Sequence, residues 1–301
     1  MGLGTNHQTS TTLATLIPEI WGSKINDFYF AELVAAPFFT DRSSELVGGG
    51  DVLHTPTLVE MSANPKTNGS AVTYNQPTEL SADLTVTTWA EVSFIIEDRE
   101  ASTMKKGYNV MEEQMMGAAQ TVSTELEDAI TALFDNFDDS VGSSTTDMVD
   151  STILSAISTL ETNTKKAVSS QDCAWFIKPS VFWNQIQLLD KFSLAVNSPG
   201  NDPTAKIPDG MLYGIPVYRS VNIPYVSGTT GVNNCLARKS AIHWATRAFE
   251  VNAKNGMVGK HGIRVQADYV IDYLGTSVTA DICYGSVMNR SNAGVTVVTK
   301  A

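Results

Sequence analysis

The longest regular pattern in the sequence is an alternation of apolar and polar positions between Leu80 and Ile96. Every even position is apolar, small or threonine, and the odd positions are mostly polar apart from Trp89 and Ile95. Because successive side chains of a strand point to opposite faces, this period predicts a β-strand with one buried face. Strands usually have about 5–6 residues, so a run of this length, which would extend roughly 50 Å, is unusual. We therefore predict a projecting arm or a strand that bends midway.

A helical period replaces the alternation between Tyr108 and Phe137. Apolar residues recur there at steps of three or four, and no proline interrupts them. This spacing predicts an amphipathic helix roughly 45 Å long. Four residues of the apolar stripe are expected to lie in the core: Met115, Val122, Leu126 and Leu133. Five acids occupy the other face: Glu112, Glu113, Glu125, Glu127 and Asp128.

The segment before the long strand has two parts. Apolar residues at helical spacing predict an amphipathic helix from Ile17 to Ala36. The three glycines Gly48, Gly49 and Gly50 come next, followed by a strand-like run that ends at Val59. A polar stretch rich in turn-forming residues then extends from Ser62 to Gln76. We expect the glycines to form a hinge and the polar stretch to form an exposed hairpin or loop.

The rest of the chain predicts a mixture of short helices and strands. Helices are expected at three places: Ser151–Leu160, Pro179–Phe192 and Ser240–Thr246. Strands are expected at Cys173–Ile177, around Leu236, and in a hairpin at Met211–Ser220 that bends at Gly214. Two further alternating runs, Ile263–Tyr273 and Val278–Tyr284, predict an antiparallel hairpin that turns at Gly275-Thr276-Ser277.

Composition limits the classes of function. Charged residues make up 17% of the 301 residues, against about 25% in a typical globular protein. This low share suits a protein that buries much surface against neighbours, or one with many strands and polar loops. The 20 basic residues are outnumbered by 32 acids, and the net charge is −12. Since DNA binding depends on lysine and arginine neutralising phosphates, direct DNA binding is disfavoured as the main role.

Cysteine usage and hydropathy point to a reducing compartment. The three cysteines, Cys173, Cys235 and Cys283, fit no metal-binding spacing and are expected to be buried free thiols. No apolar run approaches the roughly 18 residues that a membrane span needs. The N-terminal residues do not have the pattern of a secretory signal. We therefore expect a protein that is made in a cytoplasm and is not inserted in a membrane.

Motifs for catalysis or cofactor binding are not found in the sequence. The four histidines lie too far apart for a local metal site, and no nucleophile elbow, phosphate loop or dinucleotide fingerprint occurs. Glu97, Asp98 and Glu100 cluster around Arg99, where an ion-pair network is a simpler interpretation than a pair of glycosidase carboxylates. We predict no catalytic residue, no cofactor and no metal.

The order of elements resembles that of the major capsid proteins of tailed bacteriophages, which have the Hong Kong 97-like fold. It runs from an arm through a helix, a hairpin loop, a long strand and a long helix to an inserted α/β unit and closing strands. The segments that carry the resemblance most specifically are Ala82–Glu100, Asp209–Ser220 and Tyr284–Val295. The resemblance covers most of the chain and implies an α+β fold.

The resemblance also implies a division of the chain. Residues 1–45 would form an N-terminal arm, and residues 46–89 an extended β-hairpin loop that reaches over a neighbouring subunit. Residues 90–147 and 258–301 would form a peripheral domain, with the long helix as its spine. Residues 148–257 would form an inserted axial α/β domain. Seven residues of the loop region are candidates for contact between subunits: His54, Pro65, Asn68, Tyr74, Leu80, Leu84 and Trp89.

The implied function is the assembly of hexamers and pentamers into an icosahedral shell around double-stranded DNA, without sequence-specific contact with it. Such a protein would assemble in the host cytoplasm and reside in the virion. Partners would include a portal protein, possible decoration proteins and a separate scaffolding protein, because fewer than 50 residues precede the loop. Two alternatives stay open at this point: an encapsulin-type nanocompartment shell, and a soluble hydrolase that uses Glu97, Asp98 or His243.

Overall fold

The computed structural model describes residues 33–46, 50–58, 61–76, 79–103, 110–189, 210–226, 228, 230–251 and 255–301. Most of the predicted helix from Ile17 to Ala36 lies outside these residues, as do Gly48 and Gly49 of the predicted hinge. The end of the predicted helix Pro179–Phe192 also lies outside them.

The described residues form five α-helices and fifteen strands, besides several 3-10 helices. The α-helices are α1 (Ala35–Phe38), α2 (Asp98–Thr103), α3 (Val110–Thr131), α4 (Asp150–Thr164) and α5 (Pro179–Asn184). The strands of the first half are β1 (Thr40–Asp41), β2 (Val52–Leu58), β3 (Glu79–Thr85), β4 (Thr88–Glu97), β5 (Asp139–Gly142) and β6 (Cys173–Ile177). The others are β7 (Met211–Leu212), β8 (Ile215–Arg219), β9 (Tyr225–Val226), β10 (Gly231–Arg238), β11 (Ile242–Arg247), β12 (Asn255–Val258), β13 (Arg264–Val270), β14 (Gly275–Met288) and β15 (Gly294–Lys300).

The first sheet is organised around the 14-residue strand β14. Its order is β1-β11-β14-β13-β12, and β4 pairs with the opposite edge of β14. The predicted alternation is confirmed, because Ala90, Val92, Phe94 and Ile96 are the half-buried positions of β4. The long run is interrupted at residues 86 and 87, so that β3 and β4 belong to different sheets.

Helix α3 packs on β14 and β4. Val122 and Leu126 are buried in the core, and Met115 and Leu133 pack against it half-buried. The predicted helix is thus present from Val110, although its last turn, Ala132–Asn136, is a 3-10 helix.

The second sheet takes its strands from distant parts of the chain. Its order is β5-β15-β10-β6-β8-β7, with β9 paired to β10. Strand β15 lies between β5, to which it is parallel, and β10, to which it is antiparallel. Strand β11 joins the first sheet and β15 joins the second. The predicted division of the chain into domains stays a prediction. One main apolar core extends through both sheets.

Two predicted local structures are wrong. Ser240–Thr246 was expected to be helical, but residues 242–247 form β11. Five consecutive residues of β11, from Ile242 to Thr246, are buried, so the strand lacks the alternation that identifies a half-exposed strand. The turn expected at Gly275–Ser277 instead lies at Ile271–Leu274, where Leu274 has a φ of 44°. Gly275 belongs to β14, and a Cβ there would lie 2.6 Å from the carbonyl oxygen of Ile96.

Glu127 departs from the predicted polar face of the long helix because its side chain is completely buried. One carboxylate oxygen accepts hydrogen bonds from the backbone N–H groups of Val34 and Ala35, at 2.9 and 2.7 Å. The other accepts one from Ala36 at 2.9 Å. These donors belong to the first turn of α1, where N–H groups have no partner within the helix. Glu127 thus fastens the N-terminal end of the described chain to α3.

Candidate assembly surface

Strands β2 and β3 form a hairpin that pairs with no other strand among the described residues. The register runs from Val52 opposite Thr85 to Leu58 opposite Glu79. Neither strand belongs to the two large sheets, so both outer edges of the hairpin carry backbone N–H and C=O groups without a strand partner. Such edges are ready templates for another chain.

The hairpin has one apolar face, which is covered only at its base. Leu84 is 1% exposed and packs in a small core with Leu46, Val86, Ala245 and Cys283. Leu80 lies on the same face of the same strand and is 61% exposed. Leu84 therefore serves the interior of its own subunit, which removes it from the candidates for contact between subunits. Leu80 remains a candidate, because the apolar face continues past the part of the body that covers it.

The loop between the two strands is exposed throughout residues 61–76. Asn64 donates a hydrogen bond to the side-chain oxygen of Asn75 at 2.6 Å, and Asn75 donates one to the carbonyl oxygen of Ser62 at 2.5 Å. These bonds tie the two sides of the loop together. Tyr74 is 89% exposed. Three candidates of the sequence, Pro65, Asn68 and Tyr74, therefore lie in this exposed loop, and they stay predictions as contacts.

The hairpin rests on the body at Gly285 of β14. A Cβ atom at this position would lie 2.0 Å from the carbonyl oxygen of Thr85 and 3.1 Å from the Cα of Val86. The approach is reinforced by a hydrogen bond from the N–H of Val86 to the carbonyl oxygen of Asp51, at 2.7 Å. The close approach of two backbones requires a residue without a side chain at position 285.

We expect Gly285→Ala to displace the hairpin base and to lower the free energy of unfolding by about 1–3 kcal/mol, because an added methyl group overpacks the contact with Thr85. Urea denaturation measures this change. Gly259→Ala is the matched control, since a Cβ at Gly259 would only reach ordinary contact distance, 3.6 Å from the carbonyl oxygen of Ile263. Equal effects of the two substitutions would contradict the assignment of Gly285 as the support of the hairpin.

Trp89 is attached to a charged pair at the start of β4. Its indole Nε1 donates a hydrogen bond to Asp281 at 2.9 Å, although its ring is 64% exposed. Arg264 lies opposite Asp281 in the β13–β14 register and donates two hydrogen bonds to its carboxylate, at 2.9 and 2.8 Å. The ring of Phe249 contacts both the Trp89 ring and the Arg264 guanidinium. These contacts hold Trp89 in place and leave much of its ring available.

His54 bridges the two strands of the hairpin on the face opposite Leu80. Its Nδ1 lies 2.7 Å from the carboxylate of Asp83, its cross-strand neighbour. Hydrogen bonds from Ser81 and then from His54 lower the pKa of Asp83. Both members of the pair are largely exposed, and as a contact between subunits His54 stays a prediction.

The residues proposed for a hydrolase do not come together. Glu97 pairs with Gly275 at one end of β14, and His243 pairs with Val287 near the other. Twelve residues of strand separate these positions, about 40 Å. Asp98 accepts a hydrogen bond from the hydroxyl of Tyr269, at 2.7 Å, at the Glu97 end. His243 therefore cannot act together with Glu97 or Asp98 in one catalytic site.

The part of the chain that the structure describes contains no group of three or more metal-ligating side chains. None of its helices combines the length and the hydrophobicity needed to cross a bilayer.

His243 should make the stability of the subunit depend on pH. Burial lowers its pKa, and the positive charges of Arg42 and Arg290 act in the same direction against the opposing Glu45. The folded chain therefore prefers neutral histidine, while the unfolded chain titrates near 6.5. The contribution of neutral His243 to the free energy of unfolding is therefore complete above pH 6.5. It is lost as the pH falls through the lowered pKa of His243 in the folded chain.

We therefore expect the urea midpoint of unfolding to fall between pH 7 and pH 5, and His243→Gln to reduce this pH dependence. The exposed His54→Gln serves as the control. The assignment fails if the two variants change the pH profile equally.

Comparison with known proteins places the fold among solved viral structures. The structure of Mycobacterium phage Che8 matches with a TM-score of 0.73 at 16% identity, over 93% of this chain and 96% of that one. The capsid of cyanophage P-SCSP1u matches with a TM-score of 0.72 at 13% identity, over 99% and 97%. The head of Helicobacter pylori bacteriophage KHP40 matches with a TM-score of 0.71 at 12% identity, over 99% of both chains. No family model and no curated protein matches the sequence. At these identities, the similarity establishes a common fold.

Proposed function

We propose that this chain, which has the α+β fold of phage capsid proteins, is the major capsid protein of a tailed bacteriophage and builds an icosahedral shell from many copies of itself. The observation that carries the proposal is the β2–β3 hairpin. Its apolar face extends from the buried Leu84 to the exposed Leu80, and its two edges have no strand partner among the described residues. The subunit is thus incomplete at this surface, and a second copy supplies the missing cover.

Assembly then follows from burial of the hairpin. Each Å² of apolar surface that a neighbour covers contributes about 25 cal/mol, before the cost of fixing two molecules relative to each other. A single contact between two subunits is weak. In a closed shell every subunit gives and receives the same contact, so symmetry multiplies a weak interaction into a stable particle.

The division of labour in the chain is part of the proposal. Residues 1–45 would serve as the N-terminal arm, residues 46–89 as the extended loop with its hinge at Gly48–Gly50, and α3 as the spine of the peripheral domain. The axial part, which includes most of the second sheet, would meet at the five-fold and six-fold axes. Portal, scaffolding and decoration proteins would be partners, and the net charge of −12 would keep packaged DNA from adhering to the wall.

A shell that holds protein cargo would assemble through the same contacts between subunits, but no observation favours such a shell. The solved structures that match include phage capsids and the capsid of a gene transfer agent particle. Nuclease-protected DNA inside particles from an infected or induced host distinguishes the two contents.

Electron microscopy of the purified full-length protein tests the proposal. We expect closed shells tens of nanometres across, built from hexamers and pentamers, in the presence of a scaffolding protein or at high protein concentration. A monodisperse monomer under all these conditions, with the hairpin protected from proteolysis against its own body, would contradict it.

A further inference from the structure

Asparagine followed directly by glycine occurs twice in the chain, at Asn68-Gly69 and at Asn255-Gly256. This dipeptide is chemically reactive, because glycine has no side chain to hinder its own backbone nitrogen. That nitrogen can attack the side-chain carbonyl carbon of the preceding asparagine. The structure places the two dipeptides in different surroundings.

Asn68 and Gly69 lie at the tip of the loop between β2 and β3. The N–H of Ser70 donates a hydrogen bond to the carbonyl oxygen of Thr67, at 3.3 Å, and closes a β-turn with Asn68 and Gly69 at its centre. Gly69 has a φ of 81°, as the third residue of a type II turn has. A Cβ at Gly69 would meet no atom within 4 Å, so its peptide group has room to rotate toward the Asn68 side chain.

The other two asparagines of the loop are not placed for this reaction. Asn64 precedes Pro65, whose nitrogen carries no proton. Asn75 accepts a hydrogen bond from Asn64, at 2.6 Å, and donates another to the backbone. By contrast, the Asn68 side chain and the N–H of Gly69 take part in no hydrogen bond with the residues that the structure describes.

A positive charge lies beside the exposed dipeptide. The ammonium group of Lys66 donates hydrogen bonds to the carbonyl oxygens of Thr67, which precedes the dipeptide, and Ser70, which follows it. Attack by the Gly69 nitrogen requires loss of its proton and places negative charge on the Asn68 side-chain oxygen. A neighbouring cation stabilises such charge, so Lys66 favours the reaction.

The second dipeptide is held in a strand. Asn255 lies opposite Ala267, and Gly256 lies opposite Gln266, in the β12–β13 pair. A Cβ added at Gly256 would collide with the side chain of Val251. Closing a five-membered ring through the Gly256 nitrogen requires the backbone to leave its extended conformation, so β12 must first separate from β13.

We propose that Asn68 is a site of spontaneous modification, where the chain cyclises to a succinimide that then opens to aspartate or isoaspartate. The Gly69 nitrogen forms a bond to Cγ of Asn68, the bond from Cγ to the amide nitrogen breaks, and ammonia leaves with the proton of the Gly69 N–H. Water then opens the ring. Addition of water at Cγ gives aspartate, and addition at the main-chain carbonyl carbon of residue 68 gives isoaspartate.

The modification changes both the charge and the backbone of the loop. Lys66 is the one charged residue of residues 61–76, so a new carboxylate removes the net positive charge of the loop. Isoaspartate also directs the main chain through the former side chain and lengthens it by one carbon. The inference goes beyond the proposed function, because the reaction needs only the loop and water and takes place whether or not the subunits form a shell.

Peptide mapping by mass spectrometry tests the modification. The full-length protein is incubated in mildly alkaline buffer made with water enriched in the heavy oxygen isotope, and each event leaves one heavy oxygen in its peptide. We expect Asn68 to react at least about tenfold faster than Asn255 in the folded protein, because β12 must open before Asn255 reacts. In urea that unfolds the chain, the two rates should become similar.

Two results would overturn the proposal. One is an unmodified Asn68 in the folded protein over a time in which the unfolded chain reacts. The other is an equal rate at Asn68 and Asn255 in the folded protein, which would mean that the exposed turn has no influence.

Substitutions test the role of the neighbours. Gly69→Ala should slow the reaction at Asn68 severalfold, because a methyl group hinders the attacking nitrogen, and should leave Asn255 in urea unchanged. Lys66→Gln should slow it roughly threefold, because the nearby positive charge is lost. Lys66→Arg keeps the charge and should react like the unsubstituted protein. If Lys66→Gln reacted as fast as Lys66→Arg, the assistance by the lysine would be wrong.

Discussion

Replacing Leu80 with alanine is expected to raise the protein concentration needed for assembly by about tenfold or more, because a leucine that becomes buried contributes about 1.5–3 kcal/mol and every 1.4 kcal/mol is tenfold. The side chain is 61% exposed in the isolated subunit, so the free energy of unfolding should change little. Turbidity or light scattering against concentration measures the assembly threshold, and urea denaturation measures stability.

Leu84→Ala is the matched control, because both leucines lie on the same face of β3. Leu84 is buried in its own subunit, so its truncation should cost about 2–5 kcal/mol of stability. The Leu80 substitution thus tests assembly and the Leu84 substitution tests folding, although the two positions are only four residues apart in one strand. If Leu80→Ala destabilised the subunit as much as Leu84→Ala and left the assembly threshold unchanged, the hairpin would not be an intersubunit surface.

Removing the carboxylate of Asp281 is expected to destabilise the subunit by about 3–5 kcal/mol, because it leaves the largely buried guanidinium of Arg264 without its carboxylate partner. Asp281 is 3% exposed and Arg264 is 15% exposed at the side chain, so little solvent reaches the pair. Asp281→Ala also removes the acceptor for the indole N–H of Trp89. Urea denaturation of the isolated subunit measures the loss.

Two comparisons check the cause of that loss. Asp281→Leu combined with Arg264→Met should recover much of the stability, because an apolar pair needs no compensation for charge. Asp51→Ala, which breaks the exposed ion pair with Arg247, should leave the midpoint nearly unchanged, because solvent screens such pairs. If the double variant were no more stable than Asp281→Ala, the unpaired charge would not be the cause.

Periodic signals made the central elements of the fold predictable. The alternation along residues 80–96 identified the buried face of β4, and the helical spacing identified Val122 and Leu126 of α3 as core residues. In both elements one face meets the core and the other meets solvent, so burial leaves a period in the sequence. The exposed loop was predictable for a related reason, since residues 61–76 combine turn formers with few apolar positions.

Non-local contacts explain what the sequence could not predict. Strand β11 is covered on both faces, so its residues have no alternation and their pattern predicts a helix. Glu127 has the position of a solvent-exposed acid on its helix, yet it binds N–H groups 91–93 residues away. Leu80 and Leu84 are indistinguishable in the pattern, and only the small core beneath the hairpin separates their roles.

The position of β15 between β5 and β10 has a consequence for biosynthesis. The second sheet lacks an inner strand until the ribosome has passed residue 300, although β5 is complete by residue 142. Native contacts over such sequence distances form slowly, since the loops between them must close first. A nascent chain therefore cannot complete the second sheet, which on the proposed function delays assembly until the chain has been fully synthesised.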